Sequence, residues 1–123
     1  MPQVEAGACE RPVIGIKAMG MLDTLVHNQT ALLASIAQEI RMRETMLDEE
    51  GGSRHRVVFK RPRTVDYRAS VHDIANYLID LMTDAELRAR LGRAARQRVV
   101  ELFDYRVVAR RVLDILHETL GLT

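Results

Sequence analysis

Among the 123 residues of this chain, Glu5 has the setting that most suggests chemistry. Four small residues follow it, Ala6, Gly7, Ala8 and Cys9. Past Glu10 and Arg11, Pro12 then opens the apolar run Val13-Ile14-Gly15-Ile16. This is the pattern of a tightly packed helix end turning into a buried strand. A helix without bulk on one face can lie close against a sheet or a ligand, and here it carries one acid at the point of approach. One carboxylate can accept hydrogen bonds from both vicinal hydroxyls of a ribose, as the acid after a strand does in dinucleotide-binding folds. The alternative, a solvated surface glutamate, is commoner by base rate.

Other candidates are weaker. Gly20 and its neighbouring amides follow the strand and could approach a ligand at its carboxyl end, where open α/β sheets bind nucleotides, or Gly20 could simply serve a turn. Lys17 is better read as solvated than as a phosphate ligand. His27, His55, His72 and His117 have no ligand spacing with one another or with Cys9, so no metal site is expected. Cys9, among small residues, is expected to be a buried structural thiol. No Ser/His/Asp pattern can be argued, and no residue is assigned as catalytic.

The elements that must position Glu5 follow in order. Residues 3–9 suit the last turns of a helix, and 12–17 a short parallel strand covered on both faces. Residues 18–26 read as a loop and short helix, 27–30 as a turn, and 31–34 as a second apolar run. Residues 35–66 read as an insertion or irregular segment. It holds an expected charged helix over 36–47, a break at Gly51-Gly52-Ser53 and a possible strand at Val57-Val58-Phe59, with Asp48-Glu49-Glu50 and Lys60-Arg61-Pro62-Arg63 as solvated blocks. Beyond these, Ser70 with Asp73 forms a capping box for a helix to about Met82. Thr83 with Glu86 starts a second helix, with Leu87, Leu91, Ala94, Ala95, Val99 and Leu102 on its apolar face. Asp104 caps a third, in which Val108, Val112, Ile115 and Leu116 face inward and which Gly121 ends.

The stretch from Glu5 to Ile14 resembles the signature of retaining, nucleotide-sugar-dependent glycosyltransferases of the GT-B fold (glycosyltransferase family 4). In that family two glutamates are separated by seven intervening residues, and the second precedes Ala, a small residue, Ala, a small residue, Gly, any residue and Pro-Val-Ile. Glu5 matches the second glutamate, and Pro12-Val13-Ile14 matches the strand. Glu10 stands where the family has Gly, a departure that needs explaining if that position requires positive φ. The first glutamate would precede Met1. Residues 18–31 correspond to a Gly-rich loop, a short helix and a turn of the Asp-Gly-x-Thr-Gly kind. Gly20 and Thr30 fit, while Asn28 and Ala31 stand where glycines are common. Residues 81–92, Ala94-Ala95-Arg96 and residues 99–105 are similar to the helical tail that closes the family's second Rossmann-like domain.

The resemblance implies an α/β chain equivalent to the later part of a GT-B donor-binding domain, partly Rossmann-like, with a few parallel strands and a three-helix tail. Residues 1–34 would be core, 35–66 insertion and 67–123 tail. It further implies transfer of a sugar from a nucleotide-diphosphate sugar to an acceptor hydroxyl with retention and no obligatory metal or other cofactor. Glu5 would be the ribose ligand, with Gly20 beside the nucleotide. Family catalysis occurs in a cleft between two domains, so the chain is expected to be inactive alone. It would then associate with an N-terminal glycosyltransferase half or with further copies of itself.

Bulk properties narrow the field. Apolar content of 47% and a net charge of +1 are ordinary for one soluble domain and give no general reason to expect nucleic acid or an anionic membrane. A single cysteine excludes an internal disulfide framework, and no apolar run approaches the roughly 20 residues of a membrane span, so the chain reads as cytoplasmic. The rival reading is an arginine-rich helical module for nucleic acid or an acidic partner. Eight arginines lie between Asp84 and Arg111 against four acids. Alternating with apolar positions, and without interleaved aromatics, they suit a wet helix face better.

Overall fold

The computed structural model describes residues 1–42, 45–46, 57–58 and 64–121. Its first helix, α1 (Pro2–Ala8), has Pro at its start, where the missing N–H costs no hydrogen bond. It ends in a Schellman motif: the Arg11 N–H donates to Ala6 O and the Glu10 N–H to Gly7 O, and Glu10 takes φ 57°. Strand β1 (Val13–Ile16) follows, then the one-turn helix α2 (Met21–Thr24) and strand β2 (Ala31–Ala34). β1 and β2 pair in parallel, Val13 opposite Ala31 through Ile16 opposite Ala34. All four β2 residues are buried, so it is β2 that is covered on both faces, whereas β1 is half-buried throughout.

The fold is thus mixed α/β, with one parallel pair among the described residues. Leu25, Ala31 and Leu33 form a core cluster with Val13 and Met21 against it. A Cβ at Gly15 would meet Leu33 at 3.2 Å and Leu25 at 3.4 Å; its absence lets the chain after α2 close on the sheet. The outer edge of β2 is occupied by side chains and a turn. The Leu33 N–H donates to His27 Nδ1 (2.9 Å), the Tyr77 hydroxyl reaches Leu33 O, and the Asn28 N–H donates to Ala31 O.

Residues 36–42, expected to be helical, form strand β3 (Ile36–Met42), antiparallel to β6 (Thr64–Ala69) with a bulge at Ala37. Ile36 and Ile40 fit either period, so the choice falls to the partner. Along 65–69 Val65, Tyr67 and Ala69 are half-buried, while Asp66 and Arg68 are exposed. That two-residue alternation of β-formers recruits 36–42 into a ribbon. The two-residue strands β4 (Thr45–Met46) and β5 (Val57–Val58) pair antiparallel. The Gly51-Gly52-Ser53 break, the charged blocks 48–50 and 60–63, Leu47, His55 and Phe59 lie outside the described residues.

Three helices complete the chain: α3 (Val71–Thr83), α4 (Ala85–Leu102) and α5 (Tyr105–Leu120). The capping box at α3 is only half made. Ser70 Oγ accepts from the Asp73 N–H, but the Asp73 carboxylate turns away to take the N–H and hydroxyl of Ser35, and the Ser70 N–H donates to Ser35 O. Helix α3 is thereby tied to the foot of the ribbon. Asp84, not Thr83, caps α4, its carboxylate accepting from the Leu87 N–H. Asp84 has the extended backbone of a cap, and the Thr83 hydroxyl bonds back to Ile79 O. Asp104 and the left-handed Gly121 bound α5.

Helix α4 holds the molecule together. Leu91, Gly92 and Ala95 are buried, and Leu91 is wholly so. A Cβ at Gly92 would lie 2.2 Å from Glu10 O, so only glycine lets α4 lie on the Schellman turn of α1. Its arginines do more than form a wet face. Arg96 donates to Ala8 O at the end of α1, Arg98 to Asp23 O and Thr24 O at the end of α2, and Arg88 to Leu81 O and Met82 O at the end of α3. Three helix carboxyl termini are satisfied by cations from one neighbour. By contrast α5, expected to turn Val108, Val112, Ile115 and Leu116 inward, leaves all four exposed. Its apolar face has no cover among the described residues.

Candidate functional site

Glu5 lies in the first turn of α1 with its side chain 78% exposed, and its Oε1 takes the amino terminus at 3.3 Å. Gly20 caps the start of α2, four residues beyond the carboxyl end of β1; it is exposed, and a Cβ there would meet nothing. The two residues are not in contact, but a polar relay joins their neighbourhoods. Gln3 Nε2 donates to Thr24 Oγ1 (3.4 Å), and Thr24 Oγ1 donates to Gly20 O (3.3 Å) and Met21 O. Thr24 is buried, so this relay fixes the amino-terminal turn of α1 against the turn that bears Gly20. Gln3 and Thr24 are 21 residues apart, and no local pattern announces their pairing.

The chemistry available here is that of an acceptor: a solvent-facing carboxylate with two oxygens, one partly engaged by an ammonium that a ligand's hydroxyls could displace. Behind it, Gly7, Thr24, Ala95 and Val99 enclose a void of about 10 Å³, room for no more than a water. Larger hollows lie elsewhere. One of about 640 Å³ runs along the first turns of α4 beside Arg90 and Arg93. Another, of about 360 Å³, sits between Cys9–Pro12 and Arg88. Glu5 and Gly20 line neither.

Besides Glu10, Met19 (φ 53°) and Asn28 (φ 58°) are the non-glycine residues with positive φ among the described residues. Asn28 is held by Arg90, which donates to its backbone and side-chain oxygens. Ala31, by contrast, is ordinary strand, fully buried where a small side chain is needed.

Cys9, expected to be buried, is exposed; it is the cap residue of α1, past the packed turn. Lys17 is exposed, its N–H donating to Ala34 O. Among the described residues no group of His, Cys, Asp and Glu could hold a metal, and no helix is long and apolar enough to cross a membrane. Among the described residues Asp73 has a perturbed acidity. The Ser35 hydroxyl, then the Ser35 N–H, hold its carboxyl below the usual range, and His72 and His27 add smaller pulls. No protein-family model, characterised protein or solved structure matches the chain.

Proposed function

We propose that this chain is the donor-binding segment of a retaining GT-B glycosyltransferase, with Glu5 as acceptor for the ribose hydroxyls of a nucleotide-diphosphate sugar and the Gly20 turn beside the nucleotide. The observation that carries the reading is the left-handed backbone at Glu10, Met19 and Asn28. Glu10 and Asn28 stand where the resembled family has glycine, and Met19 lies in the stretch that corresponds to its Gly-rich loop. Positive φ is uncommon outside glycine, so its appearance at these points supports a shared backbone path rather than a chance likeness of letters. The parallel β1–β2 pair, with β1 bonded on one edge among the described residues, is compatible with a Rossmann-like sheet. The reading assigns donor binding, not turnover, to these residues.

The arginine-rich alternative is weaker. Arg88, Arg90, Arg96 and Arg98 each donate to backbone carbonyls of this chain, which leaves fewer free for phosphates. A calorimetric titration separates the two readings. Nucleoside diphosphates should bind in preference to a polynucleotide of equal phosphate concentration, and Glu5→Ala should weaken that binding by about tenfold, the worth of one charge-assisted hydrogen-bond pair. Tighter, salt-dependent binding of the polynucleotide would reverse the assignment.

A further inference from the structure

Helix α5 carries an apolar seam that the described residues leave uncovered, save for the Arg106 guanidinium over the Tyr105 ring (5.3 Å). Tyr105, Val108, Val112 and Ile115 repeat at alternating steps of three and four, with Leu116 and Leu120 beside them, and each is between 43% and 72% exposed. Together they bare on the order of several hundred Å², at or above the largest patch a monomer usually leaves to water. The charges along the helix are sorted. Arg106, Arg110 and Arg111 occupy its first half, and Asp114 and Glu118 its second. None of these five is in an ion pair with another described residue.

We infer that α5 pairs antiparallel with α5 of a second copy of this chain. With Tyr105 and Val112 as one set of seam positions and Val108 and Ile115 as the other, an antiparallel register sets Val112 of one helix against Ile115 of the other. Arg111 and Glu118 then both flank the seam, and the register brings Arg111 of each copy beside Glu118 of its mate. One two-fold axis buries the centre of both seams, Val112 and Ile115 of each copy, and turns each basic half towards an acidic one. A parallel pair would instead oppose basic half to basic half, which argues for the orientation as well as the occupant. The pairing uses neither Glu5 nor Gly20, so a failure of nucleotide binding would leave it standing.

The test is sedimentation velocity on the full chain from low to high micromolar concentration. The wild type should be a dimer in the upper part of that range, and Val112→Glu should abolish it. Arg111→Glu alone and Glu118→Arg alone should each raise the dissociation constant by about tenfold, and the double variant Arg111→Glu/Glu118→Arg should return it to within about twofold of wild type. The side chains are exposed in the single copy, and circular dichroism of each variant checks that the helices remain; the charge exchange stands as the test should Val112→Glu lose them. A chain that stays monomeric, a dimer that survives Val112→Glu with its helices intact, or a double variant no better than the singles overturns the inference. So does a monomer that binds vesicles of anionic phospholipid through α5.

Discussion

Glu10 and Gly92 meet at one contact and exchange the usual roles of their types. The left-handed residue that closes α1 is a glutamate, while the glycine sits mid-helix in α4, beneath that glutamate's carbonyl. Two opposite outcomes follow. Glu10→Gly removes the steric cost of positive φ and should stabilise the fold by about 0.5–1 kcal/mol, less than the full left-handed penalty because glycine loses more chain entropy on folding. Gly92→Ala places a Cβ 2.2 Å from Glu10 O, so α4 must move off the turn. The better helix propensity of alanine offsets part of this, and a net loss of about 1–3 kcal/mol is expected. Urea unfolding of both variants checks the pair; a stabilised Gly92→Ala would mean that α4 does not bear on this turn. At this scale the sequence was informative about Glu10 and Asn28, because a residue standing where glycine is usual poses a definite question about φ. It was silent about Gly92, whose neighbour lies some eighty residues away.

At the scale of elements, α4 acts as a clamp through arginines that end other helices. Arg98, half-buried, satisfies the last carbonyls of α2, so Arg98→Ala should cost about 1–2 kcal/mol. The exposed Arg93, with no such partner, should cost less than about 0.5 kcal/mol on the same change. Equal losses at both positions, read from denaturant midpoints, would show that the carbonyl contacts carry no weight.

The tie between α3 and the ribbon gives a pH dependence. Asp73 binds its proton less tightly folded than unfolded, because the charged form is the one that Ser35 bonds. Unfolding therefore takes up a proton in acid. The contribution is complete above the unfolded value and disappears as pH falls from about 4 through the lower folded value. Asp73→Asn should flatten stability against pH in that window, and an unchanged slope would remove Asp73 from the account. Caps at Ser70, Asp104 and Gly121 were readable because each is a local signal. The strand at 36–42 was not, because Ile36 and Ile40 fit either period and the partner that decides, 64–69, lies beyond a long intervening stretch. The arginine clamps share that obscurity, since a helix face rich in arginine looks the same whether it meets water or a carbonyl.

For the whole molecule, the described strands and helices leave much apolar surface bare, most of it on α3 and α5. Among the described residues the buried apolar side chains are Ala18, Leu25, those of β2, and Leu91 with Ala95, in keeping with a chain that completes its cover through another surface. The apolar periodicity of α5 was plain in the sequence, but not whether this chain supplies what it packs on. The donor-site reading depends on Glu5 and the Gly20 turn meeting one ligand, and among the described residues the Gln3–Thr24 relay joins their two turns. The most direct measurement is an amide chemical-shift map of the isotope-labelled chain during titration with a nucleoside diphosphate. Saturable shifts should concentrate at Glu5, Thr24 and the residues around Gly20, with the midpoint raised about tenfold in Glu5→Ala. Shifts confined to the arginines of α4 and α5, or none at all at millimolar nucleotide, would contradict the donor-site reading.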